Sequence, residues 1–111
     1  MKYMCLVYGE EQLTQTIDDR ECVANGEALR QAGHYVAAES LQPASTAATV
    51  RVRNGRVTVT DGPFAEAKEV IAGFYLIEAR DLEEATALAA KIPPARVGAI
   101  EVRPVRELAG V

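Results

Sequence analysis

Thr49-Val50-Arg51-Val52-Arg53-Asn54-Gly55-Arg56-Val57-Thr58-Val59-Thr60 lies near the middle of the chain, and its reading decides the fold. Valine alternates with arginine or threonine on both sides of Asn54-Gly55. A type I′ turn needs positive φ at both central residues, which asparagine and glycine accept, so this is the strongest short-range hairpin signal. The arms are expected over Ala47 to Arg53 and Arg56 to Thr60, with Asp61-Gly62-Pro63 breaking the second. Arg51 and Arg53 fall on one side of the hairpin, and Arg56 opens the other arm.

The two flanks of this hairpin repeat one order of elements. On the N-terminal side, Tyr3 to Tyr8 is a short run apolar on both alternating sets, the pattern of a strand buried on both faces. A helix follows, capped by Thr16 or Asp18 and running to about Ala32. Asp18, Asp19 and Glu21 in its first turn suit the helix dipole. Its apolar stripe reads as Cys22, Val23, Ala24, Ala28 and Leu29, and Gly33 stops it. Tyr35 to Leu41 is the second strand, followed by the loop Gln42-Pro43-Ala44.

On the C-terminal side, a polar loop from Phe64 to Glu69 leads into a strand from Ala72 to Ala79. Asp81-Leu82-Glu83-Glu84 has the form of a capping box. The helix it opens runs to about Lys91, with Leu82, Ala85, Leu88, Ala89 and Ile92 on one face, and Pro93-Pro94 ends it. Ala99 to Arg103 is the last strand.

β-α-β, hairpin, β-α-β is the order of an α+β, ferredoxin-like split βαβ sandwich with an extra β-hairpin. Both helices then cover one face of an antiparallel sheet. The other face needs a cover that this chain does not provide, because the first and fifth strands are apolar on both sides. A second copy packing sheet against sheet supplies that layer, so a homodimer is expected.

The 111 residues weigh 11.9 kDa and make one domain, residues 1–111. Hydrophobic residues at 49% and charged residues at 25% exclude a disordered chain, a collagen-like repeat and a coiled-coil rod. A net charge of −4 disfavours direct nucleic-acid binding. Cys5 and Cys22 lack the paired spacing of a zinc site, and His34 is the single histidine, so no metal and no disulfide are expected. Met1-Lys2-Tyr3 runs straight into a strand with no signal peptide, and no apolar run approaches the ~20 residues that span a bilayer, which makes the cytoplasm the default address.

Asp61-Gly62-Pro63-Phe64 is the most distinctive run. It is joined by Met1-Lys2-Tyr3-Met4, Leu41-Gln42-Pro43, Thr49 to Arg53, Ala65-Glu66 through Lys68-Glu69, Gly73 to Ile77, and Glu101-Val102-Arg103-Pro104-Val105. With these the chain resembles the DGPF-domain branch of the YCII-related family over nearly its whole length. Ala67 stands where the family usually has Thr, and Ala72 where it often has Gly; neither change removes a charge. The resemblance implies a dimeric ferredoxin-like α+β barrel, and a regulatory setting for some members, which accompany extracytoplasmic-function sigma factors. A His and Asp pair proposed as catalytic in the YCII branch does not map onto this sequence residue by residue.

Seven side chains are candidates for chemistry. His34 follows a helix-ending glycine and can act as general acid or base, or pack as an ordinary histidine near a helix C-terminus. Asp61 can be its carboxylate partner or a turn residue accepting backbone N–H groups. Both lie at ends of strand-like runs flanking the hairpin, so the two are expected to share one site. Tyr8, Arg53, Phe64, Glu66 and Lys68 are candidate substrate contacts. Each has a plain alternative: a core tyrosine with a wet tip, a polar edge-strand face, and a solvated loop. No phosphate-binding glycine loop or nucleophile elbow is present, and no cofactor is implied. The expected function is binding of a small molecule in a cleft near the dimer interface, with acid–base chemistry by His34 and Asp61. A non-enzymatic regulatory module, linked to a sigma factor, is the alternative.

Overall fold

The computed structural model describes residues 1–110. Six strands and three α-helices alternate along the chain. They are β1 (Lys2–Gly9), α1 (Glu11–Thr14), α2 (Asp19–Gln31), β2 (Tyr35–Ser40), β3 (Ala48–Arg53), β4 (Arg56–Asp61), β5 (Val70–Glu78), α3 (Leu82–Ala89) and β6 (Ala99–Pro104). Two short 3₁₀ turns, Ala44–Thr46 and Pro93–Arg96, join them. The main sheet has the order β2-β5-β1-β6 with every neighbour antiparallel, and β3-β4 forms a separate two-stranded sheet. This is α+β architecture compatible with the ferredoxin-like expectation, extra hairpin included.

The helix starts obey local chemistry. Asp18 caps α2, its carboxylate accepting from Arg20 N at 2.8 Å. Asp81 caps α3, accepting from Glu84 N at 2.9 Å. The Glu84 carboxylate reaches back to Arg80 N, one residue earlier than in the standard capping box. At the hairpin tip Asn54 has φ 52° and Gly55 φ 73°, the positive pair that a type I′ turn requires.

Alternation along β1 and β5 sets the core. Tyr3, Cys5 and Val7 are buried on the face that the helices cover, and the register places Ile77 opposite Tyr3 and Tyr75 opposite Cys5. Leu29 from α2, Ala85 and Ala89 from α3, and Ile92 complete the core. The intervening residues Met4, Leu6, Phe74 and Leu76 face the other way and remain half-buried. The fold measures 46 × 41 × 19 Å, thin along one axis, as a sheet with one helical layer should be.

Several local expectations need correction. A single helical turn, α1, lies between β1 and α2, where no element was expected before the cap at Thr16 or Asp18. The inner face of α2 is Cys22, Asn25, Gly26 and Leu29, at spacing i, i+3, i+4, i+7, while Val23, Ala24 and Ala28 face outward. Tyr75 donates its hydroxyl hydrogen bond to the Cys22 carbonyl at 3.3 Å, and Tyr35 lies under Gly26, so tyrosines rather than aliphatic groups meet this helix. Leu82, placed on the apolar face of α3, stays exposed in the first turn; the small Ala85 and Ala89 bring that helix onto the sheet. β4 runs one residue further than expected, to Asp61 opposite Ala48, and Gly62 with φ 101° makes the exit within the Asp61-Gly62-Pro63 run expected to end the arm.

Candidate functional site

A cavity of about 600 Å³ opens between α2 and the sheet. Small side chains on both walls create it: Cys22 and Gly26 on the helix, Ala38, Ala72 and Gly73 on the strands. A Cβ built on Gly26 would point to the Tyr35 ring at 3.9 Å, into space that a larger residue would fill. The Arg30 guanidinium lies 4.3 Å over the same ring, a cation–π contact at the mouth. Arg30 also pairs with Glu27 at 3.5 Å, both side chains being exposed. Burial, reinforced by Asp19 and Glu21, pushes the Cys22 thiol up, so it lines the cavity as a neutral thiol rather than a nucleophilic thiolate. Burial also pushes the Tyr75 hydroxyl up. Asn25, on the inner face of α2 but outside the lining of this cavity, has its Nδ2 buried without a hydrogen-bond partner among the described residues.

A second, shallow groove lies where β1 ends. Tyr8, Glu10, Lys68, Glu69 and Glu101 line it, and Lys68 Nζ is 3.7 Å from Glu10 Oε1. Tyr8 and Lys68 therefore come together, as two of the seven candidates. Glu10 joins them from a position with no sequence signal beyond its charge, and Glu101 from the last of the shared family motifs.

The remaining candidates disperse. His34 opens β2, and its Nδ1 lies 2.8 Å from the Glu78 carbonyl. A carbonyl only accepts, so Nδ1 carries the proton and Nε2 is left free in the neutral ring. Asp61 closes the hairpin base, which attaches through Leu41 to the opposite end of β2. No hydrogen bond or ion pair joins His34 and Asp61 among the described residues, and neither lines the α2–sheet cavity. Phe64 lies 5.0 Å under the guanidinium of Arg51, not of Arg53. Arg53 folds back on the hairpin tip and donates to the Val52 carbonyl. Glu66 lies exposed in the loop that leads to β5.

Cys5 and Cys22 are both free thiols. Among the described residues no three His, Cys, Asp or Glu side chains gather as a metal site. No described helix is long and apolar enough to cross a membrane.

Comparison with known proteins agrees on one family. A family model described as the YCII-related domain matches residues 1–109. An uncharacterised protein of Rhizobium meliloti (strain 1021) is 36% identical over 114 aligned positions, covering 95% of this chain and 92% of that relative.

Proposed function

The chain belongs to the YCII-related family, and from that premise we propose that it is a homodimer of the DGPF branch whose protomers each bind a small molecule in the α2–sheet cavity. The cavity carries this reading. Its volume lies within the range of small-molecule sites, roughly 300–1,000 Å³, and its lining mixes apolar walls with a few polar groups. The neutral Cys22 thiol and the Tyr75 hydroxyl favour binding over nucleophilic chemistry at this place.

The dimer rests on the second sheet face. Met4, Leu6, Phe74 and Leu76 form an apolar patch there that no element among the described residues covers, and sheet-on-sheet packing of two copies would close it into an α+β barrel. Acid–base chemistry by His34 and Asp61 requires the second copy as well. The two attach to opposite ends of β2, a six-residue strand spanning roughly 20 Å, so a partner must bring one to the other.

Ligand-observed NMR with a fragment library tests the cavity. Fragments are expected to bind wild type at one competitive site and to lose binding in Gly26→Leu, whose side chain fills the space beside Tyr35, with amide dispersion retained. A screen without hits, or hits that survive Gly26→Leu, overturns the assignment. Sedimentation velocity from micromolar to hundreds of micromolar concentration tests the dimer, and a stable 11.9 kDa particle throughout would rule it out.

A further inference from the structure

The β3–β4 hairpin has two unlike faces. The register pairs Val50 with Val59 and Val52 with Val57, so four valines share one face. The other face carries Thr49, Arg51, Arg53, Arg56, Thr58 and Thr60. The chain partly serves the polar face: Phe64 sits against Arg51, and the Thr49 hydroxyl donates to the Gly62 carbonyl at 2.9 Å. Nothing among the described residues covers the valines, which are between 56% and 66% exposed. A two-stranded hairpin with no packed face is marginal in water. β-Branched residues concentrated on one side of it indicate a surface that receives them.

Charge and area point to the occupant. Residues 48–61 carry three arginines against one aspartate, net +2, on a chain of net −4, so the rest of the chain carries −6. The hairpin is thus complementary to the body of a like molecule. The groove of Tyr8, Glu10, Lys68, Glu69 and Glu101 carries three carboxylates against one lysine and is an acidic surface of that body. The register puts Glu101 opposite Leu6, on the same open face as Met4, Phe74 and Leu76. Four valines at this exposure offer roughly 400 Å², about half of the ~800 Å² per partner that a stable interface buries, and the open sheet face supplies the rest.

We propose that the hairpin is an arm that lays its valine face on a second copy of this chain and carries Arg53 and Arg56 toward that copy's acidic groove. This rests on the homodimer proposed above. The arm makes each groove incomplete without its partner, and couples the loop at Asp61–Lys68 to assembly.

An isotope-filtered NOE experiment on a dimer mixed from labelled and unlabelled wild-type chains tests it directly. Methyl groups of Val50, Val52, Val57 and Val59 are expected to show contacts with protons of the other copy. A second measurement is the dimer dissociation constant of the variant carrying Val50→Thr, Val52→Thr, Val57→Thr and Val59→Thr, in which β-propensity and shape are kept. It should weaken at least tenfold, and Arg53→Glu with Arg56→Glu should weaken it further as salt is lowered. A wild-type dimer lacking these contacts, or one whose dissociation constant is unchanged by the threonines, overturns the arm and leaves the dimer standing. A wild-type chain that stays monomeric at hundreds of micromolar overturns both.

Discussion

The β1–β5 pair and the β3–β4 pair are both antiparallel ladders rich in β-branched and aromatic residues, yet they live in opposite surroundings. In the first, Cys5 is fully buried and Ile77 is 1% exposed. In the second, Val57 is 66% exposed in a register just as regular. Pairing is a local matter of alternation and turn chemistry, whereas burial depends on what lies over the face. One chain covers the inner face of β1–β5 with α2 and α3 and, among the described residues, leaves the valine face of β3–β4 bare. The contrast separates what stabilises a single copy from what becomes useful only on association.

The largest expected effect measures that contrast directly. Ile77→Ala should cost about 2–5 kcal/mol at every protein concentration, since it opens a cavity in the core. Val57→Ala should leave the concentration-independent part of stability nearly unchanged and act only on the part that grows with concentration. Denaturant unfolding at two concentrations differing a hundredfold reads both. Equal, concentration-independent losses would show that the hairpin valines already belong to the core of one copy.

Next comes the turn. A Cβ at residue 55 would meet nothing within 4 Å, so the penalty of Gly55→Val is purely one of φ, at +73°. The hairpin should loosen by about 1 kcal/mol or more. Amide exchange across the β3–β4 ladder should speed up while that of β1 and β5 does not change. Uniform protection in the variant would mean that the turn contributes nothing to hairpin order.

The smallest effect lies in the core strand's response to alkali. Burial pushes the Cys5 thiol up to about 11 from its ordinary 9.0. A group whose pKa is raised on folding adds stability that is complete below the unfolded value and fades as pH rises through the folded one. The melting temperature should therefore fall between about pH 9 and pH 11, and Cys5→Ala should fall less steeply over that window. Parallel slopes in the two proteins would assign the loss to other groups, Tyr75 among them.

Much of the architecture is readable from short-range patterns. The Asn54-Gly55 turn, the Asp18 and Asp81 caps and the strand cores around Cys5, Val59 and Phe74 each follow from a few neighbouring residues. The misreadings share one cause. Cys22-Val23-Ala24 is apolar in sequence, but helical spacing turns Val23 and Ala24 outward and brings Asn25 and Gly26 in, opposite tyrosines that arrive from β2 and β5. Arg30 over Tyr35 is likewise invisible in a helix end and a strand start read separately. Within one copy His34 and Asp61 attach to opposite ends of β2, a separation that two strand-like runs flanking one hairpin do not reveal.

The amino-acid sequence by itself determined the element order, the antiparallel halves on either side of a hairpin, the type of that turn and the family, because each depends on local geometry or on long shared motifs. Only the tertiary structure decided which face of α2 looks inward, that small residues on two separate walls leave a 600 Å³ cavity, and that Tyr8 meets Lys68 while His34 and Asp61 stand apart. Those outcomes depend on distances between segments far apart in the chain, and no local pattern of polarity encodes a distance.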